Sequence, residues 1–152
     1  MGSKNDFETL KSCCDTLTEF GIEWEARVLS AHRTPDAALE YASKAEGRGL
    51  QVIICAAGGA AHLAGFIAAK TIIPVLAVPI ASTPLGGLDS LLAMVQMPAG
   101  IPVGTLAIGK WGATNAGVLA AQIIGTKRPE LREKMRAWRA AKAKDVLAQT
   151  VP

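Results

Sequence analysis

The 152 residues carry 16 Lys and Arg against 13 Asp and Glu, and half of them are apolar with few aromatics. A chain of this length makes one domain with a sizeable core. A formal charge of +3 gives no reason to invoke nucleic acid, which needs a concentrated basic face, and the apolar run over 66–80 is broken by Lys70, Pro74 and Pro79, well short of the ~20 residues of a membrane span. Eight of the sixteen basic residues fall between Lys127 and Lys144, but Glu130 and Glu133 interleave with them, which reads as a solvated helix face. Cys13, Cys14 and Cys55 have no metal or redox spacing. With no signal peptide in view, they read as reduced, partly buried thiols of a cytoplasmic protein.

Ser3 and Asn5 stand as caps before a helix in which Phe7, Leu10, Cys13 or Cys14, Leu17 and Phe20 recur at helical spacing, and Gly21 ends it. The Gly2-Ser3 turn at that helix start is expected to expose free backbone N–H groups, which suit an anion. Residues 22–29 alternate, with Trp24, Ala26 and Val28 opposite Glu23, Glu25 and Arg27, and predict a strand with one face partly exposed. After the polar turn Ser30-Ala31-His32-Arg33, Thr34 and Pro35 form an N-cap and N1 pair for a helix that runs to about Arg48 and closes at Gly49. The run 51–56 is a buried strand, 57–62 a small-residue turn, and a helix follows to about Thr71. A second buried strand is predicted over 75–78, a loop over 79–87, and a helix marked by Leu88, Leu91, Leu92 and Val95 that ends before Pro98. Residues 103–108 read as the last strand, 109–112 as its turn, and 115–125 as an alanine-packed helix. Pro129 opens a final long helix with Leu131, Met135 and Trp138 on one stripe, and residues 149–152 read as a fraying end.

Strands alternating with helices imply a parallel sheet covered on both faces. Right-handed crossovers put the loops after successive strands on one edge, where ligands bind in open α/β sheets. The segments 30–33, 58–62, 79–85 and 109–112 are therefore expected to gather there. The first helix has no strand before it, although a Gly-Ser turn at such an edge normally follows one. The expectation is that the sequence begins inside a longer chain, rather than that the fold lacks a strand.

On that edge, Ser30, His32 and Arg33 bring a hydroxyl, an imidazole and a guanidinium into four residues. Arg33 and Ser30 suit an anion, and an imidazole is the natural proton carrier near neutral pH. His62 reads equally as a residue that fixes its own loop through a backbone hydrogen bond and as a ligand contact. Asp6 either favours the first helix dipole or accepts from ribose hydroxyls beside a phosphate held at Ser3. Gly58-Gly59-Ala60-Ala61 permits close backbone approach to a flat ligand, or simply packs a tight turn under a helix. Lys110 and Trp111 are candidates for the rim or an interface. Two histidines with no nearby carboxylate or cysteine make a poor metal site. No Gly-x-Ser-x-Gly, dinucleotide or Walker pattern occurs, so a serine nucleophile, ATP and a nicotinamide cofactor are not indicated.

Four motifs in order, 1–6 (MGSKND), 30–35 (SAHRTP), 58–63 (GGAAHL) and 89–103 (DSLLAMVQMPAGIPV), resemble the catalytic-subunit family of phosphoribosylaminoimidazole carboxylase, class I, over nearly the whole chain. The resemblance implies a flavodoxin-like three-layer α/β/α fold. It implies a single catalytic domain over 1–152 in a homo-octamer, with the C-terminal helix (about 129–148) packing on a neighbouring subunit. The implied reaction converts N5-carboxyaminoimidazole ribonucleotide to 4-carboxy-5-aminoimidazole ribonucleotide in purine synthesis, without metal, ATP or other cofactor. The alternative within the family is a carboxylase of aminoimidazole ribonucleotide that takes free carbon dioxide. A non-catalytic module that binds a phosphorylated ligand is the rival from another class.

By the same resemblance His32 is the catalytic histidine. Ser3 and Arg33 contact the 5′-phosphate with Ser30 nearby, and Asp6 takes the ribose hydroxyls. His62 and the turn of Gly58, Gly59, Ala60 and Leu63 bound the carboxyl-transfer pocket. Two positions depart from the family pattern. Asn5 stands where serine is usual, near the phosphate, and an amide still donates there. Ala64 stands where proline is usual, which loosens the loop after His62. The family also has an apolar strand just before the Met-Gly-Ser turn.

Overall fold

The computed structural model describes residues 1–151. A short 3-10 turn, Lys4–Asp6, leads into α1 (Phe7–Glu19), which is followed by α2 (Pro35–Lys44), β1 (Ile53–Gly58), α3 (Leu63–Ala68), β2 (Val75–Ile80), α4 (Leu88–Val95), β3 (Gly104–Thr105), α5 (Lys110–Gly125) and α6 (Pro129–Leu147). The three strands form a parallel sheet in the order β1-β2-β3, with Ile53 opposite Val75 and Leu76 opposite Gly104. This is the layered α/β arrangement that the strand-helix alternation predicts.

β1 and β2 are apolar throughout because both of their faces are covered. Ala56, Leu76, Val78 and Ile80 pack with α1, α5 and α6 through Leu10, Cys13, Leu17, Ala116, Ala120 and Leu131. Ile53, Cys55, Ala57, Val75 and Ala77 point the other way, against Ala38 and Ala42 of α2, Leu63 and Ile67 of α3, and Met94 of α4. Alternate residues thus feed two separate cores, as the two-residue period of a strand requires. Small side chains let the helices sit close. A Cβ on Gly117 would stand 2.9 Å from the Thr16 Cβ, so α5 approaches α1 only with glycine there. Burial pushes the Cys13 thiol up to about 12 and the Cys55 thiol up to about 11, which keeps both protonated.

Four local expectations fail, each for a physical reason. Residues 22–29 are extended but form no ladder strand, and Trp24 and Val28 are 44% and 55% exposed. The alternation is real, yet a strand needs a backbone neighbour, and only Met1 reaches this one. The carbonyl of Met1 accepts from Leu29 N–H at 2.9 Å, the Met1 amine donates to the Arg27 carbonyl at 2.9 Å, and Gly2 N–H donates to the Ala56 carbonyl at 3.0 Å. One peptide unit therefore bridges the segment and β1. Beyond it a slot of about 640 Å³ opens, flanked by Leu10, Ile22, Trp24, Val52, Ile54 and Ile67 among others. Side chains hold its outer wall. Trp24 Nε1 donates to Thr18 Oγ1 at 3.0 Å, and Glu25 accepts from Tyr41 and Arg48 at 3.1 and 2.6 Å.

β3 spans two residues instead of six. Leu106 N–H still donates to the Ala77 carbonyl and Gly109 N–H to the Pro79 carbonyl, so the chain follows β2 loosely at the sheet edge without a regular ladder. The expected 109–112 turn is the first turn of α5. The left-handed Gly109 (φ 76°) precedes it, and Gly112 lies where a Cβ would stand 1.6 Å from the Ala107 carbonyl oxygen, so the helix starts early against its own loop. Thr34 makes no side-chain cap on α2; its hydroxyl is taken by the backbone of Ser30, which closes the 30–34 turn instead. Gln149 to Val151 follow the end of α6, as the fraying reading expects, and Pro152 lies outside the described residues.

Candidate active site

A second cleft, of about 360 Å³, lies at the carboxyl ends of the strands, within the size range of small-molecule sites. Four chain segments meet there: the turn at 2–6, the turn at 30–33, the end of β1 with the turn into α3, and Ser82 after β2. The N-terminal turn reaches this edge because Gly2 N–H is bonded to Ala56 on β1. Ser3, Asn5, Asp6, Ser30, His32, Arg33, Gly58, Ala60, His62 and Leu63 all line the cleft, with Gly2, Ala31, Ala57 and Ser82.

Gly59 does not line the cleft. Its φ of +61° turns the chain, and its carbonyl faces the buried Ser90 hydroxyl at 3.4 Å, so it shapes the turn from behind. Residues 109–112 stay away as well. Trp111 is 82% exposed on the outer surface and Lys110 belongs to α5, so neither forms the rim. Of the loop after β2, Ser82 alone enters the cleft.

The two histidines meet. His32 Nε2 lies 2.9 Å from His62 Nδ1, with the rings 88° apart. One hydrogen fits between these nitrogens, and either ring can hold it; hydrogen positions follow from the network rather than from the heavy atoms alone. His62 precedes α3 but its side chain makes no cap bond. The His62 ring fixes no loop through a backbone hydrogen bond among the described residues; it lines the cleft against His32, where the ligand-contact reading places it. The fully buried Ala64 sits in the first turn of α3, a position that accepts proline, and the 63–68 helix is formed with alanine there.

Arg33 is held at the other side. Its Nη2 donates to the Gly2 carbonyl at 2.6 Å and its Nε to Ser30 Oγ at 3.3 Å, while Arg33 N–H also donates to Ser30 Oγ at 3.2 Å. These bonds lay the guanidinium over the N-terminal turn. The expectation of free N–H groups fails for three residues of that turn, while no partner is seen among the described residues for the Lys4 N–H. Gly2 N–H goes to Ala56, Ser3 N–H donates to Asp6 Oδ2 at 2.9 Å, and Asn5 N–H donates to Ser3 Oγ at 3.3 Å. A sequence with Ser and Asp three apart closes this capping box by itself. The Arg33 guanidinium, the Ser3 hydroxyl and the Asn5 amide are the side-chain groups this edge offers to an anion.

Asp6 is 8% exposed. Burial pushes its carboxyl above the ordinary aspartate value; the Ser3 N–H, the Met1 amine and the Arg33 charge each pull it back in part. A buried carboxylate in a cleft is a candidate site residue, and Asp6 also closes the capping box with Ser3.

These features define a class: a parallel α/β protein whose sheet edge brings a guanidinium, serine hydroxyls and a facing histidine pair into one cleft. The model of the family described as AIR carboxylase matches residues 1–145. A protein of Pseudomonas aeruginosa named N5-carboxyaminoimidazole ribonucleotide mutase is 56% identical over 152 residues, covering all of this chain and 93% of its own length. Proteins of the same name from Escherichia coli K12 and Saccharolobus solfataricus are 52% and 53% identical, covering 100% and 97% of this chain and 90% and 92% of their own. The crystal structure of Treponema denticola PurE superposes with a TM-score of 0.84 at 26% identity, over 97% of this chain and 90% of that one. The chain belongs to the AIR carboxylase family, and its fold is the flavodoxin-like α/β architecture.

Proposed function

We propose that the protein is an isomerase that converts N5-carboxyaminoimidazole ribonucleotide to 4-carboxy-5-aminoimidazole ribonucleotide in purine biosynthesis. The observation that carries this reading is the His32–His62 pair, 2.9 Å apart, in one cleft with Arg33, Ser3 and Asp6. Relatives that match the full chain carry the mutase name.

The reaction needs one proton moved each way. When carbon dioxide leaves the carbamate nitrogen, that nitrogen gains a proton. When carbon dioxide adds to the ring carbon, that carbon must lose one. His32 supplies the first and takes the second, so the enzyme returns to its starting state. His62 shares the hydrogen between the rings and keeps His32 oriented. Ala57, Gly58, Ala60 and Leu63 give an apolar wall that retains the freed carbon dioxide beside the ring. Such proximity is worth up to ~7–11 kcal/mol in ideal cases. Arg33 and Ser3 hold the 5′-phosphate, with Ser30 bracing Arg33 and Asn5 donating its amide. Asp6 accepts from the ribose hydroxyls. Binding energy remote from the reacting atoms thereby positions them.

The family description favours one second reading, direct carboxylation of aminoimidazole ribonucleotide. Steady-state assays with N5-carboxyaminoimidazole ribonucleotide, against aminoimidazole ribonucleotide plus bicarbonate, separate the two. Rapid turnover of the carbamate, with little product from bicarbonate, is the expected result. Tight ribonucleotide binding with no turnover in either assay would make the protein a binding module.

The assembly belongs to the same proposal: a cytoplasmic homo-octamer in which α6 packs on a neighbour. Support comes from apolar surface that one subunit leaves bare. Leu88, Leu92 and Val95 form an exposed stripe on α4, and Trp111 stands out from α5. Light scattering of the native protein is expected to give eight times the subunit mass. No helix among the described residues is long and apolar enough to cross a membrane.

A further inference from the structure

We infer that Ser82 is a specificity residue whose hydroxyl donates a hydrogen bond to the substrate's migrating carboxyl group. The inference rests on the mutase reading above and adds a residue to it.

The first observation is Gly58. Its φ is not in the left-handed region, so its backbone does not call for glycine. A Cβ there would stand 1.9 Å from Ser82 Oγ and 2.7 Å from Ser82 Cβ. Glycine at position 58 is therefore what admits the Ser82 side chain to the cleft.

The second is what the other hydroxyls do. Three serines line the cleft. Ser3 Oγ accepts from Asn5 N–H, and Ser30 Oγ accepts twice from Arg33. The Ser82 hydroxyl has no hydrogen-bond partner among the described residues, although its backbone is fixed through Ser82 N–H to the Ile80 carbonyl at 3.0 Å. The loop itself is anchored. The fully buried Ser90 donates to the Ile80 carbonyl at 3.0 Å, and Thr83 donates to Asp89 at 2.8 Å. A free donor on a fixed loop is preorganised for a ligand.

The third is the order along the edge. The 30–33 turn lies on one side of the Gly2 peptide, β1 and its turn lie on the other, and Ser82 follows β2, one strand further. A ribonucleotide with its phosphate at Arg33 runs along this row, with its base toward Gly58 and Ser82. The carboxyl group is a charged acceptor on nitrogen and on carbon, and neutral carbon dioxide between. A neutral hydroxyl bonds both charged ends without trapping the group as a cation would.

The test compares Ser82→Ala with the unaltered protein in turnover of N5-carboxyaminoimidazole ribonucleotide and in equilibrium binding of aminoimidazole ribonucleotide, which lacks the carboxyl group. Ser82→Ala is expected to lower kcat/KM about tenfold, to leave binding of the uncarboxylated ribonucleotide unchanged, and to leave Tm unchanged. Ser82→Cys, similar in size but a weak donor, is expected to fall between. Unchanged turnover, or an equal loss for both ligands, would overturn the assignment. An unaltered protein that binds the ribonucleotide yet turns over no carbamate would remove the mutase reading, and this inference with it.

Discussion

His32 Nε2 and His62 Nδ1 face each other across 2.9 Å, although thirty residues of chain separate them. The two rings come from different turns, one after the extended 22–29 segment and one after β1, and stand nearly perpendicular. Each ring keeps its other nitrogen for a second partner. If His32 carries the proton, His32→Asn is expected to remove turnover by at least ~10²-fold, the scale of general acid–base catalysis, while ribonucleotide affinity stays near that of the unaltered protein. Single-turnover kinetics and calorimetric titration of the variant check this. Near-normal activity would show that another group moves the proton.

Arg33 is braced by Ser30 and by the Gly2 carbonyl before any ligand arrives. Its loss is expected to weaken phosphorylated ligands by ~10–100-fold, the worth of a charge-assisted bond, and to change binding of the matching nucleoside little. Titration with both ligands reads the difference. Equal losses would place the phosphate elsewhere.

Asp6 makes opposite demands on stability and on binding. Its carboxyl is held above the ordinary value of 3.8, chiefly by burial. The folded state therefore binds this proton more tightly than the unfolded chain does. The stability so gained is full below 3.8 and is lost as pH rises through the raised folded value. At neutral pH the ionised group is a burden, so Asp6→Asn is expected to keep or raise Tm while weakening ribonucleotide binding about tenfold. In the unaltered protein, affinity is expected to fall on acidification at a higher pH than an exposed aspartate would give. A thermal melt and a titration series across pH test both halves.

Much of the framework is legible in the sequence because β1 and β2 are buried on both faces and so read as unbroken apolar runs. The 22–29 segment misleads because alternation reports which side chains face water, not whether a backbone partner exists. The start of α5 is hidden because Gly109 and Gly112 look like a turn until the Ala107 carbonyl is seen beside them. Within the site, Ser30, His32 and Arg33 announce themselves by chemistry and position. Ser82 does not, since a lone serine in a loop carries no pattern. Its signal is the glycine opposite, which no spacing rule connects to it. The N–H groups of the Gly2-Ser3 turn look free until Asp6 and Ser3 are seen to close on each other.

The slot beside β1 carries apolar side chains such as Leu10, Val52, Ile54 and Ile67 among polar ones, with chain on both of its walls. Five or six alternating apolar residues fused ahead of Met1 are expected to add a strand there, each buried side chain contributing ~1.5–3 kcal/mol before ordering costs, and to raise Tm by several degrees. Melts of both forms check it. An unchanged Tm would show that the slot does not accept a strand.

The peptide unit between Met1 and Gly2 works like a pin through two plates. Its carbonyl is bonded to Leu29 and its N–H to Ala56, and the next carbonyl, of Gly2, receives Arg33. If the proposed phosphate role of Arg33 holds, whatever steadies the slot is expected to steady the guanidinium above it, and by reciprocity a bound phosphate is expected to tighten the slot to the same degree. Ligand affinity and the order of the sheet's outer rail would then be two readings of one equilibrium.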